Sequence, residues 1–199
     1  MASVFGVELS YDKLRALPKG PRLHPNGFIQ LDLTDTVRLH VWPDKSVELP
    51  KPKVLTVIHD HTFDFVSTVV VGQLTNLIYE FEESPSGPWH LYSVKPYAVV
   101  KHWVPMMLLD NRRYASLVVD ASIIHRGESY EFQAFKFHET LWDAFTVTAV
   151  KISNPHPNLY ARVACDVRET PDNEFRRDDA DPKILWNLIK KACTLAAQP

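Results

Sequence analysis

The sequence predicts an all-β chain folded as one antiparallel sandwich or barrel, on three observations. At least eight short runs rich in β-branched or aromatic residues follow one another from residue 27 onward, separated by Pro, Gly, Asp and Asn. No long helical pattern lies between those runs, which argues against alternating strand–helix–strand units. The chain has 199 residues, 45% hydrophobic and 23% charged, an ordinary globular composition with length enough for one substantial core. A single domain is expected over residues 1–199, with the barrel at about 27–165 and a closing helix at about 181–197.

Each element follows from local chemistry. Ser10 can cap a short helix carrying Tyr11, Leu14 and Leu17, which Pro18 and Gly20 stop. The strand runs are GFIQLDL, VRLHVW, KVLTVIHDH, STVVVGQLTNLIYEFE, HLYSVKPYAVVKHW, ASLVVDASIIH, SYEFQAFKFH and FTVTAVKIS. The stretch RETPDNEFRRDDADP is charged and poor in apolar residues, so it reads as a surface loop or linker. Asp181 as N-cap and Pro182 in the first turn then open a helix whose Ile184, Leu185, Leu188, Ile189 and Ala192 share one face. That face predicts docking on the barrel exterior or on a second subunit.

Charge and composition exclude several classes. With 22 Lys and Arg against 24 Asp and Glu, the net charge of −2 leaves no cationic excess for phosphates, so no nucleic-acid partner is expected. No apolar run reaches membrane-spanning length, and the first twenty residues lack a basic stretch followed by an apolar one. No membrane association and a cytoplasmic location are therefore expected. Cys165 and Cys193 are too far apart to form a metal-type pair. Phosphate loops, nucleophile elbows and paired catalytic carboxylates are absent from the sequence.

The nine histidines are the unusual feature of a β-rich chain. In IHDHTFDFVSTVVVGQLTN, His59 and His61 sit two apart, which on a strand places both imidazoles on one face. Their neighbours Ile58, Phe63, Phe65 and Val69 to Val71 are apolar, and imidazoles in such surroundings need a partner. A second segment, GESYEFQAFKFHET, carries Gly127, Tyr130 and His138. A regular strand there would put Tyr130, Phe132, Ala134, Lys136 and His138 on one face. A lysine beside a cation is costly, so either a bulge near Phe135 breaks the parity or Lys136 holds an anion.

Together these segments resemble the two motifs of the cupin superfamily. Gly127, Gln133, Phe135 and His138 fall at the second motif's spacing, with Gln133 replacing its Pro and Phe135 its second Gly. In the first motif, Phe65 or Val66 stands where a Glu ligand belongs. The string IHDHT, followed by an apolar strand and GQL, is similar to the three-histidine branch of that superfamily, the thiol dioxygenases that include cysteine dioxygenase. Tyr130, eight residues before His138, resembles a Tyr of the same branch.

The resemblance implies a double-stranded β-helix, or jelly-roll barrel, holding a mononuclear Fe(II) on His59, His61 and His138. It also implies a small anionic substrate and O2 as reactants, and a homodimer, since cupins often pair. Val66, Lys151 and Ser153 stand where the branch carries a cross-linking Cys and its Ser-His-Tyr relay, so cysteine itself is not the expected substrate.

Other readings stand beside this one. The same three histidines can hold Zn or Ni in an isomerase or hydrolase, or the barrel can capture a metabolite without turnover. His125 is a rival third ligand, a group behind the ligands or a core histidine. Arg38 and His40 share a face of VRLHVW; turned inward, Arg38 would hold a substrate carboxylate, and turned outward it lays its stem on apolar neighbours. Tyr130 either donates to a bound substrate or is a core tyrosine. The candidate catalytic residues are thus Tyr130, Arg38 and His125. His24, His90, His102 and His156 lie in or beside Pro-containing segments and are expected to be solvated.

Overall fold

The computed structural model describes residues 2–99, 102–172, 175–177 and 179–198, with side chains described outside 96–106. The chain opens with β1 (Ser3–Val4), β2 (Val7–Glu8), α1 (Tyr11–Arg15) and β3 (Arg22–Leu23). The barrel strands are β4 (Ile29–Asp32), β5 (Val37–Trp42), β6 (Asp64–Val71), β7 (Gln73–Glu83), β10 (Tyr114–His125), β11 (Ser129–Phe132), β12 (Phe137–Leu141) and β13 (Thr146–Ser153). A hairpin of β8 (Trp89–Val99) and β9 (His102–Leu109) is inserted between β7 and β10, and β14 (Ala161–Asp166) and α2 (Pro182–Ala196) end the chain.

Two antiparallel sheets face each other. One runs β11-β6-β13-β5-β4-β3, the other β12-β7-β10-β8-β14 with β9 on β8. Strands close in sequence repeatedly lie in different sheets, as β6 and β7 do, and β11 and β12. Antiparallel sheets wound with such crossings form a jelly roll. The chain is an all-β jelly roll of antiparallel strands with two helices among the described residues, neither of them long and apolar enough to cross a membrane.

Two turns explain where the strands change sheet. The run STVVVGQLTNLIYEFE breaks at Gly72, where a tight turn is expected after the apolar strand, and its φ of +75° takes the chain from β6 to β7. A Cβ there would stand 2.7 Å from the Phe145 carbonyl and 2.8 Å from Thr146 Oγ1, so only glycine fits. The run SYEFQAFKFH breaks likewise, with Phe135 left-handed at φ 63° between β11 and β12. That break removes the parity difficulty: Lys136 lies exposed in the turn while His138 is buried on β12.

Alternation along β5 sorts its side chains onto two faces. Val37, Leu39 and Val41 pack with Leu31, Val147, Leu185 and Ile189 into the largest core cluster, between the sheet and α2. Arg38, His40 and Trp42 point the other way, into the barrel. The α2 helix begins as expected, with Asp181 accepting from the Lys183 N–H at 2.8 Å and Pro182 in the first turn. One member of the expected face is corrected: Leu185, Leu188, Ile189, Ala192, Cys193 and Ala196 are buried, whereas Ile184 is 40% exposed. The docked stripe lies slightly around the helix from where Ile184 projects.

Other expectations change as well. The run KVLTVIHDH does not form a ladder strand; it contributes only isolated bridges at His59. The strand β14 was not anticipated. In the expected strand HLYSVKPYAVVKHW, Val100, Lys101 and the His102 side chain lie outside the described residues, as do Asn173, Glu174 and Asp178 of the charged segment. Part of that segment folds inward: Pro171 and Ala180 are buried.

Candidate metal centre

The short segment 58–61 is held from both sides. His59 exchanges backbone hydrogen bonds with His138 of β12, N to O at 3.0 Å and the reverse at 2.8 Å. On its other flank, the Asp60 N–H donates to the Arg162 carbonyl and the Ala164 N–H to the Ile58 carbonyl, each at 2.9 Å. The segment therefore closes the gap between β12 and β14. Residues directly opposite in an antiparallel pair bring their side chains together, so His59 meets His138, and His61 follows on the same face.

The three imidazoles converge. Their ring centroids are 4.6 to 5.1 Å apart, and one ligand nitrogen from each lies within 4.8 Å of the others. Second partners orient two of the rings. His138 Nδ1–H donates to Asn76 Oδ1 at 2.9 Å, leaving its Nε2 as the lone-pair nitrogen. His59 Nδ1–H donates to the Val57 carbonyl at 2.8 Å, which likewise frees Nε2. His61 Nε2 stands 3.1 Å from His138 Nε2. Two lone-pair nitrogens so close need a proton or a cation between them, and a neutral three-imidazole set suits a first-row divalent ion.

Burial holds the site neutral. It lowers His61 and His138 well below the ordinary imidazole range, with neighbouring imidazoles adding to the effect, and lowers His59 with the Val57 carbonyl partly opposing. A deprotonated ligand is what metal binding requires, and burial favours that form.

Behind the ligands, Asp60 points away from them and has a fully buried side chain. It accepts from Arg162 Nε at 2.7 Å, while Arg162 Nη2 donates to the Phe135 carbonyl at 3.2 Å. The Phe135 N–H in turn donates to the His61 carbonyl at 2.9 Å. One guanidinium thus ties β14, the ligand segment and the turn before His138.

The ligands open onto a cavity of about 520 Å³. Arg38, His40, Tyr130, Ser67 and Gln30 all line it. Arg38 meets Asp32 only loosely, Nε to Oδ1 at 3.6 Å, while Arg22 binds the same carboxylate at 2.6 Å. Burial lowers the Arg38 pKa, Asp32 opposing. Burial also pushes the Tyr130 hydroxyl up to about 12, with the nearby Ser67 hydroxyl partly opposing, so Tyr130 is a protonated donor.

Two expectations are corrected here. His125 is exposed at the end of β10 and absent from the cavity wall, because the turn through Gly127 carries the chain away before β11. Its backbone N–H donates to Glu128 at 2.7 Å. His24, expected to be solvated, lines the cavity with its ring stacked on Phe28 at 4.2 Å, and burial holds it well below the usual imidazole range. His90 and His156 lie at the surface, at the Arg112 carbonyl and the Phe135 ring respectively.

Asn76, Asp60 and Arg162 were not anticipated. Asn76 had a signal: it alternates inward with Leu74 and Ile78 on β7, where a polar residue at a core position demands a partner.

No family model and no curated relative matches this chain. Among solved structures, hydroquinone 1,2-dioxygenase from Sphingomonas sp. TTNP3, with 4-hydroxybenzoate bound, aligns over 67% of this chain and 68% of its own, at 7% identity and a TM-score of 0.34.

Proposed function

We propose that this protein is a metal-dependent dioxygenase of the three-histidine type, with Fe(II) on His59, His61 and His138 and a small anionic substrate other than cysteine. The observation that carries the reading is the convergence of three imidazoles at a cavity wall, His138 buried and His59 and His61 half-buried, with His138 and His59 oriented by Asn76 and Val57. Bound Fe(II) would supply redox chemistry and open positions toward O2 and substrate, which a d10 ion cannot do for oxygen. The residues around it have separable tasks. Arg38 offers a charged donor to the substrate anion, and its loose contact with Asp32 leaves it available. Tyr130 keeps its proton across the physiological range and donates it in a hydrogen bond to bound substrate. Phe63, Phe65 and Val150 exclude water from the ligand side of the cavity.

The test is elemental analysis of protein purified without chelator or His tag, followed by oxygen-uptake assays on iron-loaded and zinc-loaded samples. About one iron per chain and uptake confined to the iron form are expected. Zinc content with turnover that consumes no oxygen would replace this reading with an isomerase or hydrolase. His138→Ala is expected to abolish metal retention and His125→Ala to preserve it.

A further inference from the structure

We infer that Arg162 is a positioning residue of the metal centre: acting through Asp60 and Phe135, its guanidinium sets the orientation of the segment that carries His59 and His61 relative to the one that carries His138. The inference rests on the metal-binding part of the proposed function and on no choice of substrate or reaction.

The ligand segments lack the support that a sheet usually gives. The segment 58–61 belongs to no ladder and makes only isolated bridges, from His59 to His138 and to Val163. The chain before His138 leaves β11 through Phe135, whose φ of 63° is uncommon for a residue with a Cβ and persists where its surroundings hold it. Pairing through one residue fixes a point of contact more firmly than an angle. The orientation of His61 relative to His138 therefore depends on what else joins the two segments.

Arg162 joins them from the neighbouring strand β14. Alternation turns Asp60, between the two ligands, to the face opposite theirs, where its carboxylate is fully buried. That carboxylate accepts from the Arg162 backbone N–H and from Arg162 Nε, the latter at 2.7 Å. The same guanidinium donates from Nη2 to the Phe135 carbonyl at 3.2 Å and lies 4.7 Å from the ring centroid of Phe137, the residue next to His138. The Phe135 N–H returns to the His61 carbonyl at 2.9 Å, which closes a circuit through Asp60, His61, Phe135 and Arg162. Arg162 thus holds a chain neighbour of every ligand: Asp60 adjoins His59 and His61, and Phe137 adjoins His138. A planar fork can bond a carboxylate along one edge and a carbonyl along another, whereas a lysine ammonium is a point charge on a flexible stem. The charge keeps a buried Asp60 compensated; the fork spans the two segments. Arg162→Lys separates those two tasks.

Arg162 also lines the main cavity, so the experiment uses a metal with no substrate present. Co(II) is titrated into metal-free full-length protein against a chromophoric chelator, and the visible d–d spectrum of each loaded form and the melting curve of each metal-free form are recorded. Arg162→Lys, Asp60→Asn and the double variant are compared with the parent and with Arg168→Lys, which alters an exposed pair with Asp166 at the end of the same strand. We expect Arg162→Lys and Asp60→Asn each to weaken Co(II) about 10- to 100-fold and to shift its bands, the size of effect that support behind a metal ligand carries. The double variant should be within about threefold of the weaker single one, because the two groups act as one unit. Arg168→Lys should keep the parental affinity and spectrum. A folded Arg162→Lys protein with parental affinity and bands overturns the inference. So does weakened binding with unshifted bands in both single variants, which would leave Arg162 a purely structural group. Should Arg162→Lys fail to fold, Asp60→Asn decides by the same readings. A parent that binds no Co(II) overturns the metal centre and this inference with it; parental binding that neither substitution alters overturns this inference alone.

Discussion

Asn76→Leu isolates the group that orients the third ligand. Asn76 is 4% exposed, and its Oδ1 accepts the His138 Nδ1–H at 2.9 Å, so leucine of similar volume removes the acceptor without opening a large void. The orphaned imidazole N–H then sits among buried atoms at a cost of about 1–3 kcal/mol. In a domain of this size that corresponds to a fall in Tm of roughly 2–12 °C. The ring also loses its preferred tautomer and orientation. Removing a group that supports a metal ligand typically weakens the ion by about 10- to 100-fold, or about 1.4–2.8 kcal/mol. The assay is competition for Co(II) or Zn(II) against a chromophoric chelator, with Asn76→Asp as the control that keeps an acceptor at the same place. The aspartate variant should retain the ion at least as well as the parent. A folded Asn76→Leu protein with parental affinity would refute the claim that Asn76 positions His138.

Three other outcomes follow from the structure. Metal-free protein should lose stability as pH falls: burial, with Arg38 adding, lowers His40 to about 3, and His24 lies well below its ordinary value. The unfolded chain takes up those protons near pH 6.5 while the folded one does not, so the loss begins there and continues down toward pH 3 for His40, at up to about 1.4 kcal/mol per pH unit per group. A urea midpoint that is flat or rising from pH 7.5 to 5 would contradict this. Gly72→Ala forces a Cβ into the Phe145 carbonyl at positive φ and should lower Tm by several degrees, a strain of roughly 1–3 kcal/mol readable by calorimetry. Ile189→Ala should destabilise by about 2–5 kcal/mol in denaturant titration, whereas the exposed Ile184→Ala should stay within about 0.5 kcal/mol; equal effects would mean that α2 docks by another face.

Much of this architecture was legible in the residues because it depends on local rules. Turn-punctuated runs of β-branched residues announce antiparallel strands, the pair Asp181 and Pro182 announces a helix start, and His59 and His61 share a face through spacing alone. The spacing from Gly127 to His138 also pointed to His138 as the third member, and the three rings do converge. What alternation cannot report is a change of sheet. The two long runs break at left-handed residues, Gly72 and Phe135, where a turn and a bulge were open to expectation but the passage to the other sheet was not, and the second break moves Lys136 out of the site that regular parity would have put it in.

Tertiary structure alone decided the rest, since those contacts join residues far apart in the chain. Asn76 meets His138 only because β7 pairs with β12, with Ile78 opposite His138. Asp60 meets Arg162 because the ligand segment fills the gap beside β14. His125, the rival third ligand, ends exposed because a turn intervenes, and His24 enters the cavity because Phe28 offers its ring a partner. Side-chain period fixes which residues share a face; only pairing between distant strands fixes which face meets which.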